Sequence, residues 1–359
     1  MIRVIASYAI LLFLLVRVLP VQAAVVLQYH HISATTPSST SITPALFEQH
    51  LRYLADNQFK VVPLTELVSL LRQGKPLPDK TVAITFDDAY ASVYNKAYPL
   101  LKRRHWPFTV FVNTQPIEQN KQLFVTWAQL REMSEHGATI ANHTTEHNHL
   151  LRVRSGETRA QWRARIHREI TDAETKIAQM TGQSHRLLAY PYGEYDAATQ
   201  AVVKELDFVA FGQQSGPLRM NDNLQALPRF SFGGAYGELE DFITKVNARP
   251  FPVASLAFYR DTTLKQPTDV VLEPGQKPVM ALALSDKNLL PKVQCFASGQ
   301  GAIAVSRSAE LVVIQANEPL RAGRTRYNCT APTGEPGVFY WLSQQWVTTG
   351  DNGKWLHED

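Results

Sequence analysis

The stretch TVAITFDDA, Thr81–Ala89, decides the fold and directs the search for a functional site. Its first six residues form a short β-branched and apolar run that is typical of a buried strand. Two adjacent aspartates, Asp87 and Asp88, follow where this strand ends. An Asp-Asp pair in that position is by itself more typical of a turn or a loop cap than of a catalytic pair. Its meaning therefore depends on the residues at the ends of the other strands.

Similar short runs lie on both sides of Thr81–Phe86, and amphipathic stretches separate them. This alternation predicts an α/β fold in which repeated βα units form a parallel sheet or barrel. Thr43-Pro44 fits a helix N-cap followed by proline at the first helical position, and Gly182 fits a helix end. The other predicted strands are Val25–Tyr29, Phe108–Val112, Ala138–Ala141, Leu187–Tyr190 and Phe208–Phe211, and the predicted helices are Thr43–Asp56, Thr65–Arg72, Trp127–His136 and Trp162–Thr181.

The pattern changes after the sequence RPFP at residues 249–252. Apolar residues then alternate with polar ones at a period of two, which predicts a small all-β sandwich over residues 253–359 after an α/β domain over residues 24–249. The clustered aromatics Tyr340, Trp341 and Trp346 fit an ordinary sandwich core, although they could also contact a ligand or partner. The predicted strands are Val270–Leu272, Val279–Leu284, Val293–Phe296, Ile303–Val305, Leu311–Ile314, Arg326–Cys329 and Phe339–Leu342.

Composition excludes several classes of protein. With 45% hydrophobic and 19% charged residues, the 359-residue chain is not wholly disordered. The 36 lysines and arginines barely exceed the 32 acidic residues, so we expect no nucleic-acid partner. Two cysteines exclude a cysteine-rich metal protein or a disulfide scaffold. Cys295 and Cys329 could form a disulfide or remain two buried thiols.

The N-terminus resembles an export signal. Arg3 precedes the apolar run Val4–Val16, and the small residues of Val21–Ala23 fit a cleavage site after Ala23. We therefore expect residues 1–23 to be a signal peptide, with an uncleaved anchor as the alternative. No later segment is long and apolar enough to cross a bilayer. The mature protein is expected to be exported, and thus periplasmic or extracellular.

Candidate metal ligands follow two of the predicted strands. Ligand sites in parallel α/β folds lie at the carboxyl ends of the strands. Asp88 with His143 and His147 would supply one carboxylate and two imidazoles, with positions left for water and substrate. Asp87 could then deprotonate the water as a general base. An HxxxH spacing is common by chance. The metal-site hypothesis therefore depends on the occurrence of both the Asp-Asp pair and the HxxxH sequence at the ends of predicted strands.

Three motifs resemble those of polysaccharide deacetylases, the NodB-like carbohydrate esterases. They are TFDDA at Thr85–Ala89, HTTEH at His143–His147 and AYPYG at Ala189–Gly193. The resemblance implies a distorted (β/α) barrel, Asp87 as base, and Asp88, His143 and His147 as ligands of zinc or another divalent metal. It also implies that Tyr190, Pro191 and Tyr192 form a groove wall that binds substrate, with the Tyr192 backbone N–H at the oxyanion.

The sequence YHHI at Tyr29–Ile32 is similar to the opening strand of the biofilm branch of the family. That branch acts on poly-β-1,6-N-acetylglucosamine, so an N-deacetylase that releases acetate from such a polysaccharide is the expected function. The alternatives are an O-acetyl esterase, a peptidoglycan or chitin-oligomer deacetylase, or a non-catalytic glycan-binding protein. Tyr29, Trp127, Tyr192 and Tyr195 could stack on sugar faces, and the oligomeric state is left open.

The sequence departs from the family pattern at three positions. Ala89 stands where glycine is usual, and Ala189 stands where many members carry an arginine that orients the base. A late histidine that protonates the departing amine is also missing, because no histidine lies between His185 and His357. His30 is our candidate for the general acid, since it follows the first strand, although packing at the strand end would equally explain it.

Overall fold

A computed structural model describes residues 23–119, 122–350 and 353–355. The predicted signal peptide, residues 1–23, lies outside the described residues except for Ala23. In the described part of the chain no helix is long and apolar enough to cross a membrane.

The N-terminal part is built on an eight-stranded sheet in which every pairing is parallel. The strands follow the order β10-β1-β5-β6-β7-β8-β9, and β4 pairs beside β5. This is the distorted barrel that the family resemblance implies. The eight strands of this sheet are β1 (Ala24–Tyr29), β4 (Lys60–Val61), β5 (Thr81–Phe86), β6 (Phe108–Val112), β7 (Ala138–Asn142), β8 (Leu187–Ala189), β9 (Val209–Phe211) and β10 (Phe230–Ser231), and β2 (His31–Ile32) and β3 (Ser41–Ile42) pair with each other in a separate two-stranded sheet.

Every residue of β1, β5, β6 and β7 is buried. A parallel sheet covered on both faces requires such continuous burial, which is why these strands read as apolar runs without alternation. The two-residue strand β10 was not predicted, because two residues are too few to form a pattern. The helices are α1 (Pro44–Asp56), α2 (Leu64–Arg72), α3 (Tyr98–Lys102), α4 (Thr114–Gln119), α5 (Trp127–Glu135), α6 (Arg159–Thr181), α7 (Ala197–Glu205) and α8 (Leu239–Val246).

Two helix-end predictions are confirmed. The Thr43 hydroxyl accepts a hydrogen bond from the Leu46 backbone N–H at the start of α1, with Pro44 in the first turn. Gly182 ends α6 with φ of 74°, a left-handed conformation that favours glycine. α6 begins before the predicted Trp162, because Thr158 and Gln161 form a capping box there.

The C-terminal part consists of two β-sheets, of six and four strands. Their facing side chains share one apolar cluster that includes Leu282, Ile314 and the fully buried Trp346. This arrangement is the predicted sandwich, and it places Trp346 in an ordinary core. The strands are β11 (Arg249–Pro250), β12 (Val253–Tyr259), β13 (Val271–Leu272), β14 (Val279–Leu284), β15 (Gln294–Ala297), β16 (Gly301–Ala302), β17 (Ala304–Arg307), β18 (Val312–Gln315), β19 (Gly323–Pro332) and β20 (Phe339–Thr348).

Cys295 and Cys329 form a disulfide that joins β15 to β19. The two residues lie directly opposite each other in the antiparallel pairing of these strands. Of the two alternatives for the cysteines, the structure shows the disulfide.

The sandwich packs directly against the barrel. The Trp341 indole N–H donates to the Ser215 hydroxyl at 3.0 Å, and its ring meets Phe230 edge-on at 5.4 Å. Arg249 forms an ion pair with Asp79 across the same boundary. Trp341 therefore holds the two parts of the chain together, and this contact brings β19 close to the carboxyl ends of β5 and β7.

Candidate functional site

Three metal-binding side chains meet at the carboxyl ends of β5 and β7. Asp88 follows β5, and His143 and His147 follow β7. Asp88 Oδ1 lies 3.4 Å from His143 Nε2 and 3.2 Å from His147 Nε2, and the two Nε2 atoms are 3.2 Å apart. In the described residues these three form the one cluster of ligand atoms with metal-site spacing. The sequence prediction that they come together is thus met by the structure.

The spacing suits a small divalent cation. A metal bound at about 2.1 Å to each of three ligands on one face places the ligand atoms about 3.0 to 3.4 Å apart. His143 Nδ1 also lies 2.7 Å from the Ala189 carbonyl oxygen, so it donates to that oxygen and leaves Nε2 for the metal. Two imidazole nitrogens and one carboxylate oxygen are ligands that zinc accepts. The residues present therefore fit the metal that the family resemblance implies.

Electrostatics favours the ligand forms of these groups. Burial opposes ionisation of Asp88, but its contacts with His143 and His147 outweigh burial and lower the pKa of this carboxyl. Burial, assisted by the neighbouring His143, lowers the pKa of His147 to about 4. Asp88 is thus a carboxylate and His147 a neutral imidazole at neutral pH, as metal ligands must be.

The backbone around these ligands is held in an uncommon conformation. Asp88, Ala89 and His147 have positive φ values of 68°, 55° and 64°. Such values are uncommon for residues other than glycine and cluster at functional sites. The value at Ala89 also gives a physical reason for the glycine that is usual there in the family, because glycine adopts this conformation without steric cost.

Asp87 forms a buried ion pair that the sequence did not reveal. Arg229 Nη1 and Nη2 donate to its two carboxylate oxygens at 2.7 and 2.8 Å, and both side chains are fully buried. Arg229 Nε donates to the Gly212 carbonyl at 3.0 Å, which fixes the plane of the guanidinium. Gln28 also donates to Asp87. Arg229 therefore holds the carboxylate in one orientation.

The ion pair also controls the charge of Asp87. Burial opposes its ionisation, but Arg229 and, more weakly, His143 outweigh burial and lower the pKa of Asp87. Removal of Arg229 would take away the largest influence that opposes burial and would raise the pKa of Asp87. Arg229, which immediately precedes β10, thus supplies a cation for Asp87, whereas Ala189 supplies none.

The site opens into a cleft of about 730 Å³. Asp88, His143, His147, Tyr192 and the predicted general acid His30 all line it. Sequence reasoning missed several other residues of the cleft wall, which include Tyr90, Gln213, Tyr236, Arg324 and Arg326. The two arginines lie on β19, so the sandwich contributes to the wall of this cleft.

A family model described as polysaccharide deacetylase matches residues 74–211. YxkH of Bacillus subtilis, which carries the name of a polysaccharide deacetylase, is 30% identical over 205 residues, equal to 57% of this chain and 69% of the relative. This chain belongs to the polysaccharide deacetylase family. It is therefore a hydrolase of the class that acts on acetylated polysaccharides.

The deacetylase is also similar to proteins named poly-β-1,6-N-acetyl-D-glucosamine N-deacetylase. The Escherichia coli K12 protein is 23% identical over 245 residues, equal to 58% of this chain and 36% of the relative. The Staphylococcus aureus MRSA252 protein is 25% identical over 206 residues, equal to 56% of this chain and 71% of the relative. The deacetylase thus spans only about a third of the Escherichia coli relative.

Solved structures support the barrel fold. Streptococcus pyogenes deacetylase PplD, in complex with acetate, superposes with a TM-score of 0.56 at 24% identity, covering 62% of this chain and 98% of that chain. IcaB from Ammonifex degensii superposes with a TM-score of 0.53 at 24% identity, covering 60% and 94%.

The third motif of the deacetylase contributes one side chain to the cleft. Tyr192 is 43% exposed and stacks on the His149 ring with centroids 3.7 Å apart. His149 in turn contacts Glu194 at 2.7 Å, so it positions Tyr192 from behind. Tyr190 is fully buried, with its hydroxyl on the Gln225 carbonyl, and Pro191 is also buried. The predicted substrate contacts by Tyr190 and Pro191 side chains therefore do not agree with their positions in the structure.

Three other predicted sugar contacts lie away from the cleft. Tyr29 and Tyr195 are buried, and the Tyr29 hydroxyl meets His50 Nδ1 at 3.2 Å. The Trp127 indole donates to Glu118 and its ring packs on the barrel core. Tyr29 and Tyr195 are packing residues and Trp127 is half-buried outside the cleft, so of the four candidates Tyr192 is the one that lines it.

Proposed function

We propose that the protein is an exported, metal-dependent N-deacetylase that removes acetyl groups from N-acetylglucosamine units of a polysaccharide. The observation that carries this proposal is the juxtaposition of the Asp88, His143 and His147 ligand atoms with the buried Asp87–Arg229 pair beside an open cleft. The names of the Escherichia coli and Staphylococcus aureus relatives favour a poly-β-1,6-N-acetylglucosamine substrate.

Asp88, His143 and His147 would hold the metal, and zinc is the metal we propose from the two imidazoles and one carboxylate. When bound, the cation supplies a Lewis acid that polarises the acetamido carbonyl. The Tyr192 backbone N–H would assist at the developing oxyanion.

Asp87 is the proposed general base. A carboxylate offers about four lone-pair positions, of which Arg229 and Gln28 occupy three. One position is left to accept a proton from the water that attacks the acetamido carbon. Asp87 has no exposed surface and adjoins Asp88, which lines the cleft, so it can act only on a water held between the cleft and its own carboxylate.

His30 is the proposed general acid. The amine nitrogen needs a proton as its bond to the acyl carbon breaks, and the products are acetate and a free amine. His30 lines the same cleft as Asp88 and His147, and it is near enough to influence both electrostatically. Its placement there supports the catalytic alternative over simple packing at the strand end.

Export is proposed from the sequence of residues 1–23 and from the Cys295–Cys329 disulfide. Disulfides persist in oxidising compartments such as the periplasm and the extracellular space, and they are rare in the cytosol.

Acetate release tests the proposed function. Zinc-loaded protein is offered a β-1,6-linked N-acetylglucosamine pentamer, a chitin pentamer and an aryl acetate ester, with Asp87→Asn as the control. We expect acetate from the β-1,6 pentamer and a loss of at least about 100-fold in Asp87→Asn. His30→Gln should lower kcat and leave glycan binding close to that of the wild type.

Three results would contradict the proposal in different ways. Faster release from the ester or from the chitin pentamer would favour an O-acetyl esterase or a chitin-type deacetylase. Equal inactivity of the wild type and Asp87→Asn, with glycan binding retained, would indicate a binding protein. Elemental analysis that finds no divalent metal after reconstitution would refute the metal-dependent mechanism.

A further inference from the structure

The wall of the cleft opposite the barrel carries two arginines from the sandwich. Along β19 the side chains of Thr325 and Tyr327 are buried toward the sandwich, whereas Arg324 and Arg326 point the other way and line the catalytic cleft. Side chains two residues apart on a strand share a face and are about 7 Å apart at their Cα atoms. The fold therefore places two guanidinium groups side by side facing the substrate.

Among the described residues, neither Arg324 nor Arg326 forms an ion pair within 4.0 Å of a carboxylate. Glu194 of the same cleft is near enough to act on Arg324 electrostatically, but its closest contacts are with His149 and Arg152. The Arg326 guanidinium lies 5.8 Å from the centre of the exposed Tyr236 ring. Two like charges on one face repel each other, and guanidinium groups without a carboxylate in direct contact are suited to bind anions.

The acidic groups of the cleft are already committed elsewhere. Asp88 faces the two histidines, and Glu194 contacts His149 at 2.7 Å and Arg152 at 3.7 Å. The charge that faces an entering polymer is therefore positive on the side of β19. Such a wall attracts an anionic group and repels a sugar that carries a free ammonium group.

A second, smaller cavity of about 100 Å³ adjoins this wall. Arg324, Arg326 and Gln213 line both spaces, and Gln345 of β20 also lines the smaller one. A carboxylate or phosphate on a neighbouring sugar could thus enter between the arginines while the acetylated sugar lies over the metal ligands.

We propose that Arg324 and Arg326 bind an anionic group, a carboxylate or a phosphate, carried by the glycan next to the sugar that is deacetylated. The sandwich is then a specificity element that favours acetylated glycans with an acidic neighbouring sugar, and this inference refines the proposed substrate from a neutral poly-β-1,6-N-acetylglucosamine to one that carries acidic groups. This inference rests on the proposed deacetylase function for the position of the acetylated sugar, whereas the anion site itself can be measured by binding alone.

The test compares ligands of similar size and different charge. Calorimetry measures binding of a chitin tetramer, a chitosan tetramer and a hyaluronan tetrasaccharide to zinc-loaded Asp87→Asn protein. The phosphate is tested in a separate monosaccharide pair, N-acetylglucosamine 6-phosphate against N-acetylglucosamine. We expect the hyaluronan tetrasaccharide to bind about tenfold or more tightly than the chitin tetramer, and the chitosan tetramer to bind most weakly. The preference should decrease from 50 to 500 mM salt because the site is open to solvent.

Arg324→Gln with Arg326→Gln should bring the ratio of anionic to neutral affinity to about one. Arg260→Gln removes an exposed arginine of the same domain that does not line the cleft, and it should leave the ratio unchanged. If the double variant fails to fold, the two single variants are measured instead, and each should reduce the ratio of anionic to neutral affinity.

A ratio near one in the parent protein, or the same ratio in the glutamine variants, would overturn the proposal. Acetate release by the wild type is measured separately. Anion selectivity without acetate release from any oligomer would refute the proposed deacetylase function but support the arginine site. Acetate release without charge selectivity would support the deacetylase function but refute the arginine site.

Discussion

Replacement of Arg229 by methionine tests the central pair of the site. The substitution removes two charged hydrogen bonds to Asp87, one bond to the Gly212 carbonyl and one to the Thr85 hydroxyl, all without solvent access. Removal of one partner of a buried ion pair typically costs about 3 to 5 kcal/mol, because the remaining charge stays buried without compensation. We therefore expect Arg229→Met to lower the free energy of unfolding by about 4 kcal/mol.

A double-mutant cycle separates this effect from loss of packing. Asp87→Asn alone leaves Arg229 as the uncompensated charge and should cost a similar amount. The double variant contains no buried charge at this point, so its loss should be smaller than the sum by about 3 kcal/mol. Urea unfolding at pH 7 measures all four free energies of the cycle.

The same substitution should change the pH dependence of acetate release. The pKa of Asp87 is low because Arg229 outweighs the effect of burial, so its removal raises this pKa. A carboxyl with a raised pKa is a competent base only at higher pH, and the acid limb of the pH–rate profile should move upward. Arg165→Met is a matched control, since it breaks a well-shielded bidentate pair with Glu157 that does not line the cleft.

Two outcomes would refute this reasoning. Additive free energies within about 0.5 kcal/mol would show that the two side chains are not energetically coupled. An unchanged acid limb in Arg229→Met, together with a normal loss of stability, would show that Arg229 does not control the base. Arg165→Met should lose stability and keep the wild-type profile.

Three further predictions concern stability and metal content. Burial lowers the pKa of His50 to about 4, so between pH 6.5 and 4 the unfolded chain binds more protons than the folded one, and the free energy of unfolding should fall by about 3 kcal/mol toward pH 4. In urea unfolding, the His50→Gln variant should lose about 3 kcal/mol less than the wild type over this pH range. Replacement of Cys295 and Cys329 together by alanine should cost about 4 kcal/mol in urea unfolding, and an unchanged midpoint would contradict a stabilising disulfide. His147→Ala should lose bound zinc by elemental analysis while keeping the wild-type circular dichroism spectrum, and full zinc occupancy would exclude it as a ligand.

The sequence was sufficient for the barrel and for the grouping of Asp88, His143 and His147, because both depend on local patterns. Strand β5 is a continuous apolar run, and Asp88 is positioned by the end of that run. His143 and His147 stand in the same relation to β7. Parallel strands place their carboxyl ends at one edge, so topology alone brings these side chains together.

Other parts of the site depend on contacts between distant segments, which local patterns do not record. Arg324 and Arg326 reach the cleft only because the sandwich packs on the barrel through Trp341 and Arg249. Tyr190 shows the opposite error. The family resemblance implies a substrate contact for the whole motif. Neighbouring side chains at the end of a strand point in different directions, however, and the Tyr190 side chain points into the core.

Arg229 lies between these two cases. It is separated from Asp87 by 142 residues, and β10, which it precedes, is too short to give a strand pattern. Electrostatics nevertheless requires such a residue. An ionised carboxylate at the buried end of a strand needs a cation, and alanine at position 189 removes the one that the family usually provides. The alanine at position 189 therefore left open which group compensates the charge of Asp87, and only the packing of the barrel shows that Arg229 does so.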